Sequence, residues 1–142
     1  MAAAIEETVR RKRKSRASTG RAGALLVLDE LFARGVDAHL ADRHDSGEIL
    51  IRMSDSRSRR VRVRAVHFSP WYVNVDKFVK GSSDRVAVYV LLGSETTYPR
   101  FFVARNRDLV TSIRQRAGWK DYGFIDLEAV QAYEDNWNAV TR

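Results

Sequence analysis

The sequence predicts an α/β fold, in the broad sense that includes α+β proteins, with one mixed sheet of four or five strands. Three observations support this fold class. An apolar segment with helical spacing begins at residue 20, short strand-like segments follow between residues 36 and 104, and helical segments return after residue 106. The sheet is therefore expected to be flanked by an N-terminal helix and by C-terminal helices. A chain of 142 residues is long enough to build one such domain around a sizeable core.

The sequence predicts a flexible basic arm over the first 19 residues and a folded domain over residues 20–142. The arm contains the run Arg10–Arg16, in which six of the seven side chains are basic. It has no continuous apolar face with which a helix could dock. The candidate contacts of this arm with nucleic acid are Arg11, Lys12, Arg13 and Lys14. A solvated tail without a partner is the alternative.

The segment from Gly20 to Gly35 predicts a largely buried helix. Its apolar residues recur at helical spacing and form a wide face. They are Leu25, Leu26, Val27, Leu28, Leu31 and Phe32. Gly35 suits a left-handed C-terminal cap, because glycine has no Cβ to oppose a positive φ. The chain then alternates over Val36–Leu40 like a short strand.

Residues 47–66 predict a β-hairpin, around which the rest of the chain is organised. Ile49–Met53 and Val61–Val66 flank a short run that contains serine and aspartate, which favour turns. The second run alternates with a period of two, so Arg62 and Arg64 share the face that points away from the core. Glu48 begins the first strand. Three further arginines are predicted at the hairpin tip, namely Arg57, Arg59 and Arg60.

The segments after the hairpin complete the sheet and cover it. Strands are predicted at residues 67–75, at Arg85–Leu92 in the centre of the sheet, and at Arg100–Ala104. Pro70 makes the first of these an edge strand or an irregular strand start. A turn, or one helical turn, is expected at residues 76–83. Helices are predicted from Asn106 to about Arg116 and from Asp126 onwards, each with a capping side chain at its start.

The aromatic residues have a structural and a functional interpretation. Trp71 and Tyr72 are candidates for stacking on bases, although packing in the core or at a sheet edge is the more ordinary role. A second group is predicted to form the core and cap of the C-terminal segment: Trp119, Tyr122, Tyr133 and Trp137.

Composition excludes several classes of site. The chain has no cysteine, which rules out disulfides, thiolate zinc sites and a cysteine nucleophile. The three histidines lack the paired spacing of a zinc-binding helix, so a metal site would depend on carboxylates. No apolar run reaches the roughly 18 residues of a membrane span. We therefore expect a cytoplasmic protein without a membrane partner.

Positive charge is concentrated in two places. The formal net charge is +7 at pH 7. Residues 1–22 carry seven basic and two acidic side chains, and residues 52–64 carry six arginines and one aspartate. Each of these two segments has a net charge of +5, and the remainder of the chain is acidic. Two localised basic patches indicate a polyanionic partner, DNA or RNA, more strongly than a diffuse excess would.

The order helix, strand, hairpin, strand, strand, helix resembles the core of the PD-(D/E)xK nuclease superfamily, which has the restriction-endonuclease-like fold. More narrowly, the chain is similar to small uncharacterised bacterial members of that superfamily. The matching segments are GRAGALLVLDELFARG, GEILI, VRVRAV, SPWYVN, VAVYVLL, YPRFFVA and YEDNWNAV. Together they span about residues 20–140.

The resemblance implies a site for metal-dependent phosphodiester cleavage on the hairpin. In the superfamily, carboxylates hold Mg²⁺, and a lysine orients or activates the attacking water. The first-strand acid corresponds to Glu48, the second-strand acid or glutamine to Arg62, and the lysine to Arg64. A glutamate that many members carry in the first helix falls near Ala24. Glu48 and Arg64 are therefore the vestigial catalytic positions.

The two arginines oppose a working metal site. Arg62 places a positive charge where a metal ligand is needed, and Arg64 stays protonated, which makes it a poor substitute for lysine. The first hypothesis is a catalytically inactive protein that binds nucleic-acid backbone without a cofactor. Its candidate contacts on the hairpin are Arg57, Arg59, Arg60, Arg62 and Arg64.

Two alternatives stay open. A divergent Mg²⁺-dependent endonuclease would hold its metal with Glu48 and a replacement ligand, Asp45 or Asp42. The loop that carries these acids also contains His44, and a simple polar loop is its default interpretation. A protein-interaction module or a homodimer would instead use the former active-site face. The alternative to a functional role is structural, with Glu48 as an ion-pair partner for Arg62 or Arg64.

Overall fold

The computed structural model describes residues 19–41 and 47–142. In this part of the chain the strands are β1 (Ala38–Leu40), β2 (Glu48–Arg52), β3 (Ser58–Val66), β4 (Trp71–Asn74), β5 (Val86–Leu91), β6 (Arg100–Arg105) and β7 (Tyr122–Ile125). The helices are α1 (residues 19–33), α2 (Val75–Lys80), α3 (Asn106–Leu109), α4 (Leu127–Val130) and α5 (Asn138–Thr141). Among the described helices, none has the length and apolar character needed to cross a membrane. The predicted basic arm lies outside the described residues, apart from Thr19, which is already helical.

The larger sheet is mixed and has the strand order β1-β2-β3-β5-β6. The strands β3 and β5 are parallel, and the other neighbours are antiparallel. The register of β2 and β3 pairs Glu48 with Arg62, which confirms the predicted hairpin. The strand β5 is buried along Val86–Val90 because it lies between β3 and β6, as the apolar run predicts. The predicted fold class is confirmed.

The two faces of this sheet belong to different cores. One core packs the sheet against α1 and the C-terminal segment, through residues such as Val27, Leu31, Val61, Val88 and Val140. The other packs it against β4, β7 and the short helices, through residues such as Trp71, Phe78, Tyr89, Phe102 and Ile125. Because side chains alternate along a strand, β3 sends Val61 and Val63 into the first core and its even-numbered arginines to the second side.

The helix α1 buries a narrower face than the sequence predicts. Val27 and Leu31 are buried, whereas Leu25 and Phe32 are 47% and 60% exposed. At Gly23 an added Cβ would lie 2.4 Å from the Cβ of Ala65 on β3, so the helix approaches the sheet more closely than a larger residue would permit. Because α1 contacts the sheet along one narrow strip, the apolar side chains on either side of that strip stay exposed. Gly35 has a φ of +74°, which confirms the predicted left-handed cap.

The helix predicted from Asn106 to about Arg116 is shorter than expected. The α-helical part ends at Leu109, and a single 3₁₀ turn follows at Val110–Ser112. The physical reason is a competing backbone pairing, because the N–H of Arg114 donates to the carbonyl of Phe124 at 2.9 Å and the carbonyl of Arg114 accepts from the N–H of Phe124 at 2.8 Å. Asn106 is also not the cap; the Asp108 side chain accepts a hydrogen bond from the N–H of Arg105 instead.

The final helix is likewise interrupted. Asp126 caps α4 as predicted, because its carboxylate accepts from the N–H of Ala129 at 3.0 Å. After a 3₁₀ turn the chain turns at Asp135, which has a φ of +54°, and its N–H donates to the carbonyl of Phe101 on β6. The helical conformation then resumes as α5.

A second, two-stranded sheet lies over one face of the larger sheet. It pairs β4 with β7, and β7 has no counterpart among the predicted elements. The strand β4 begins directly after Pro70, in agreement with the predicted irregular start. The segment predicted as a turn or one helical turn is α2, whose six residues are capped by the Asn74 side chain accepting from the N–H of Lys77 at 3.0 Å.

Candidate functional site

The arginines of β3 form a row on the sheet face that carries β4 and α2. Arg60, Arg62 and Arg64 alternate with buried valines and therefore point to the same side. The neighbouring strand contributes Glu48, which lies directly opposite Arg62. Its carboxylate is 3.0 Å from Nη1 of Arg60 and 3.8 Å from Nη1 of Arg62. The single acid of this row is thus already engaged by two guanidinium groups.

A cationic cavity of about 320 Å³ lies at the inner end of this row. It is located where β5 begins and β6 ends, and α2 covers it. Its lining contains four cationic side chains, from Arg62, Arg64, Lys77 and Arg85. Two amide side chains, from Asn74 and Asn106, add hydrogen-bonding groups. None of the described residues that line the cavity is acidic.

Three of the four cations of this cavity lack compensating charge within the described part of the chain. Arg64, Lys77 and Arg85 make no ion pair with a described carboxylate, whereas Arg62 lies 3.8 Å from Glu48. The Nε atoms of Arg62 and Arg64 are buried and have no hydrogen-bond partner there. A buried donor without a partner costs free energy, which a bound acceptor would recover. The cavity is therefore complementary to an anion.

Burial acts on the ionisation of Arg64 and its neighbour Tyr89. Desolvation lowers the pKa of the Arg64 guanidinium below its ordinary value, and the charges of Arg62 and Arg85 act in the same direction against the opposing influence of Tyr89. Desolvation also raises the pKa of Tyr89 to about 12, although the adjacent Arg64 opposes this shift. Both directions follow from the cost of burying charge. The folded chain holds several like charges close together, a situation that a phosphate would relieve.

The described residues do not form the magnesium site that the sequence resemblance implies. A Mg²⁺ ion requires several oxygen ligands, usually including carboxylates. In the described part of the chain no group of three acidic or histidine side chains could hold a metal ion. Glu48 is held between two guanidinium groups, which would repel a cation. Asp42, His44 and Asp45, the proposed replacement ligands, lie outside the described residues.

The structure separates the five hairpin arginines into different environments. Arg57 is at the tip, where its side chain is 86% exposed and lies 3.5 Å from the Asp55 carboxylate. Arg59 and Arg60 are strand residues and not tip residues, because the turn closes between Met53 and Arg57. Arg59 points to the opposite face of the sheet and donates to the carbonyl of Val140 at 2.6 Å and to that of Arg142. It therefore holds the C-terminal segment and does not face the cavity.

Four polar residues that line the cavity were not predicted from the sequence, namely Asn74, Lys77, Arg85 and Asn106. They come from segments 12 to 44 residues after Arg62, and each has an ordinary local role as a cap, a helix residue or a strand terminus. The one available signal was Arg85, a charged residue directly before the most apolar strand. The candidate contacts Arg11, Lys12, Arg13 and Lys14 lie outside the described residues.

The chain was compared with protein families, curated proteins and solved structures. No family model matches it. No curated protein matches it either. A solved structure that it resembles is that of Hjc, a Holliday junction resolvase from the archaeal hyperthermophile Archaeoglobus fulgidus. The two share 14% identity and superimpose with a TM-score of 0.55 over 87% of this chain and 97% of the resolvase. Since the resolvase is restriction-endonuclease-like, this chain has the restriction-endonuclease-like fold.

Proposed function

We propose that this protein binds the phosphate backbone of nucleic acid at the cationic cavity and along the arginine row that leads to it, and that it does not cleave the bound strand by a metal-dependent mechanism. The observation that carries the proposal is the cavity itself, with four cationic side chains and no acidic one among the described residues that line it. The fold supports the same partner class, because the similar solved structure is named as a resolvase of Holliday junctions.

The geometry of the row suits a polyanion with regularly spaced charges. Side chains two residues apart on a strand are separated by about 7 Å, a span compatible with neighbouring phosphates. Arg64 and Arg62 line the cavity, and Arg60 follows them on the same face of β3. Arg57 lies beyond the strand, exposed at the hairpin tip. Charged hydrogen bonds to phosphate fix the position of a bound strand without reading its sequence. We further propose that Arg11, Lys12, Arg13 and Lys14 add contacts of the same sequence-independent kind.

Inactivity as a metallonuclease is proposed from the charges at the vestigial positions. Arg62 and Arg64 stand where the resemblance implies a metal ligand and a lysine, and the Glu48 carboxylate is within ion-pair distance of Arg60 and Arg62. A carboxylate in such a pair is a weak ligand for Mg²⁺, since binding would first require separation of the pair. The proposed site therefore uses guanidinium and ammonium groups in place of a metal ion and needs no cofactor.

The wild-type protein is expected to bind DNA or RNA with strong dependence on salt. If about four phosphates are neutralised, the logarithm of the duplex association constant falls by roughly 3 to 4 for each tenfold rise in salt. Fluorescence anisotropy with labelled oligonucleotides, measured over a series of potassium chloride concentrations, gives this slope. The proposal would be contradicted if neither duplex nor single-stranded oligonucleotides bind at low salt, or if the affinity does not change with salt concentration.

Replacing Glu48 by Gln is expected to strengthen binding, by about 2- to 5-fold at low salt. The change removes the carboxylate that pairs with Arg60 and Arg62 and so leaves both guanidinium groups free for phosphate. The same anisotropy titration measures the effect. A matched control is Glu134→Gln, which breaks an exposed ion pair with Arg100 at the opposite end of the sheet and should leave affinity unchanged.

The same variant separates the proposal from the enzyme alternative. If Glu48 were a metal ligand, its replacement would abolish Mg²⁺- or Mn²⁺-dependent cleavage while binding stayed similar. Wild-type cleavage that requires metal and is lost in Glu48→Gln would overturn the inactive assignment and favour the divergent endonuclease.

A further inference from the structure

Beside the cationic cavity lies an aromatic face, which we define as Tyr72, Trp119 and Tyr122. Tyr72 and Tyr122 are 59% and 62% exposed, whereas Trp71, which precedes Tyr72 on β4, is buried. The rings of Tyr72 and Trp119 have centroids 6.1 Å apart and are tilted by 50°. The three aromatic residues line a cavity of about 760 Å³, together with Val66, Gly118 and Lys120. Exposed tyrosines clustered around one hollow are unusual unless something covers them.

The aromatic face and the cationic cavity are adjacent along two strands. On β4, Asn74 lines the cationic cavity and Tyr72, two residues away on the same face, lines the aromatic one. On β3, Arg64 lines the first and Val66 lines the second. The strand rise places both pairs about 7 Å apart. Tyr122 is the ladder partner of Asn74, so the two sites share one continuous surface.

The charge around the aromatic face also favours a polyanion. Lys120 lines the hollow, and Cζ of Arg116 lies 5.7 Å from the centroid of the Trp119 ring. None of the described residues that line the hollow is acidic. An apolar protein surface bound to the aromatic face would not interact with these cations. A nucleotide would, because it presents an apolar base and an anionic phosphate within a few ångströms of each other.

We propose that the aromatic face is a stacking platform for unpaired bases whose phosphates occupy the cationic cavity, so that the preferred ligand is single-stranded nucleic acid. This inference rests on the proposed function and specifies its substrate class. Bases in a duplex present only their edges to a protein surface, whereas an unpaired base offers a ring face that an aromatic side chain can cover. Tyr72 provides the central ring because it contacts the Trp119 ring and is two residues from Asn74 on β4.

The test compares single-stranded and duplex oligonucleotides of the same sequence. Tyr72→Ala is expected to weaken single-strand binding by about 5- to 100-fold, and Tyr72→Phe is expected to retain it because the ring remains. Duplex affinity should change by less than about 2-fold. Tyr98→Ala is the matched control, since Tyr98 is 93% exposed and lies in the loop before β6, outside both cavities. Equal melting temperatures of the Ala and Phe variants exclude unfolding as the cause.

Each other outcome has a defined meaning. If wild type binds salt-sensitively but Tyr72→Ala leaves single-strand affinity unchanged, or weakens duplex binding equally, the stacking platform is wrong and the backbone site stands. If wild type binds no nucleic acid, both proposals fail. If sedimentation shows a dimer that Tyr72→Ala converts to a monomer while single-strand affinity is unchanged, the aromatic face joins two copies of the chain, and the inference is overturned.

Discussion

Replacing Arg62 by Gln and Arg64 by Met together is expected to weaken nucleic-acid binding on the order of 100- to 10,000-fold. Hydrogen bonds to charged groups contribute roughly 1.5–3 kcal/mol each, and about 1.4 kcal/mol corresponds to a tenfold change in affinity. Both side chains line the cationic cavity, and both have a buried Nε without a partner in the described part of the chain. The salt slope should also fall by about 0.9 for each phosphate contact removed on duplex DNA.

This loss is separable from unfolding. Methionine has nearly the length of arginine without its charge, and the lowered pKa of Arg64 indicates that the folded chain holds this cation at a cost. Replacing a desolvated charge with an apolar side chain of similar volume is often neutral or stabilising. The double variant should therefore unfold at a similar or higher urea concentration. Undiminished affinity in a folded double variant would show that the cavity is not the binding site.

A control for net charge compares Arg34→Gln, which removes one positive charge, with the single cavity variants Arg62→Gln and Arg64→Met, which remove one each. Arg34→Gln removes a positive charge from the turn after α1, where the side chain pairs with Glu30 and lies over the ring of Trp137 on the opposite face of the sheet. Its effect on affinity should be only that of a diffuse change in charge, which salt screens over about 10 Å. An equal loss in Arg34→Gln and in the cavity variants would indicate non-specific attraction.

The part of the site that local sequence determines was predictable. The period of two along β3 places Arg62 and Arg64 on one face in any hairpin that buries Val61 and Val63. The pairing of Glu48 with that row follows from the hairpin register, because it brings the acid opposite Arg62. The same periodicity places Arg59 on the opposite face of the strand. Arg59 belongs to the strand and not to the tip because the turn is shorter than predicted.

The rest of the site depends on packing between distant segments. Lys77 reaches the cavity because β4 and α2 lie across the sheet, a placement that follows from the pairing of β4 with β7 much later in the chain. Arg85 reaches it because β5 pairs with β3 in a register that sets Val86 opposite Val61. The C-terminal helices were overestimated for a related reason. Helical spacing persists through residues 113–116, but backbone bonds between Arg114 and Phe124 take precedence over helix extension. Competition of this kind leaves no signature in local periodicity.

The element that joins core and site is Trp71, and Trp71→Ala is expected to destabilise the domain by about 3–5 kcal/mol. The side chain is 1% exposed and packs edge-on against Tyr89 and Phe102, with ring centroids 5.7 and 5.9 Å away. Its Nε1 donates to the carbonyl of Arg64 at 3.1 Å and lies 3.3 Å from that of Val90. The indole thus fixes β4 to the two central strands of the larger sheet.

Urea unfolding followed by circular dichroism measures the free energy of unfolding for this variant. Since small domains have only about 5–15 kcal/mol in total, the change would remove a large fraction of it. Phe32→Ala is the control for loss of an aromatic ring, because Phe32 is 60% exposed and its removal should alter stability by less than about 0.5 kcal/mol. A loss below about 1 kcal/mol in Trp71→Ala would contradict its assigned role.

Trp71→Phe connects this stability to the proposed binding site. It keeps most of the apolar contact but removes the indole N–H, so we expect a loss of about 1–3 kcal/mol as the carbonyl of Arg64 loses its donor. Without urea we expect the variant to stay folded, but β4 no longer has its side-chain hydrogen bond to the strand segment that carries Arg64. Because β4 positions Asn74 and leads into α2, affinity should fall together with stability. A variant that loses stability and binds nucleic acid as tightly as wild type would show that the cavity forms independently of the indole bond, and that β3 alone determines its geometry.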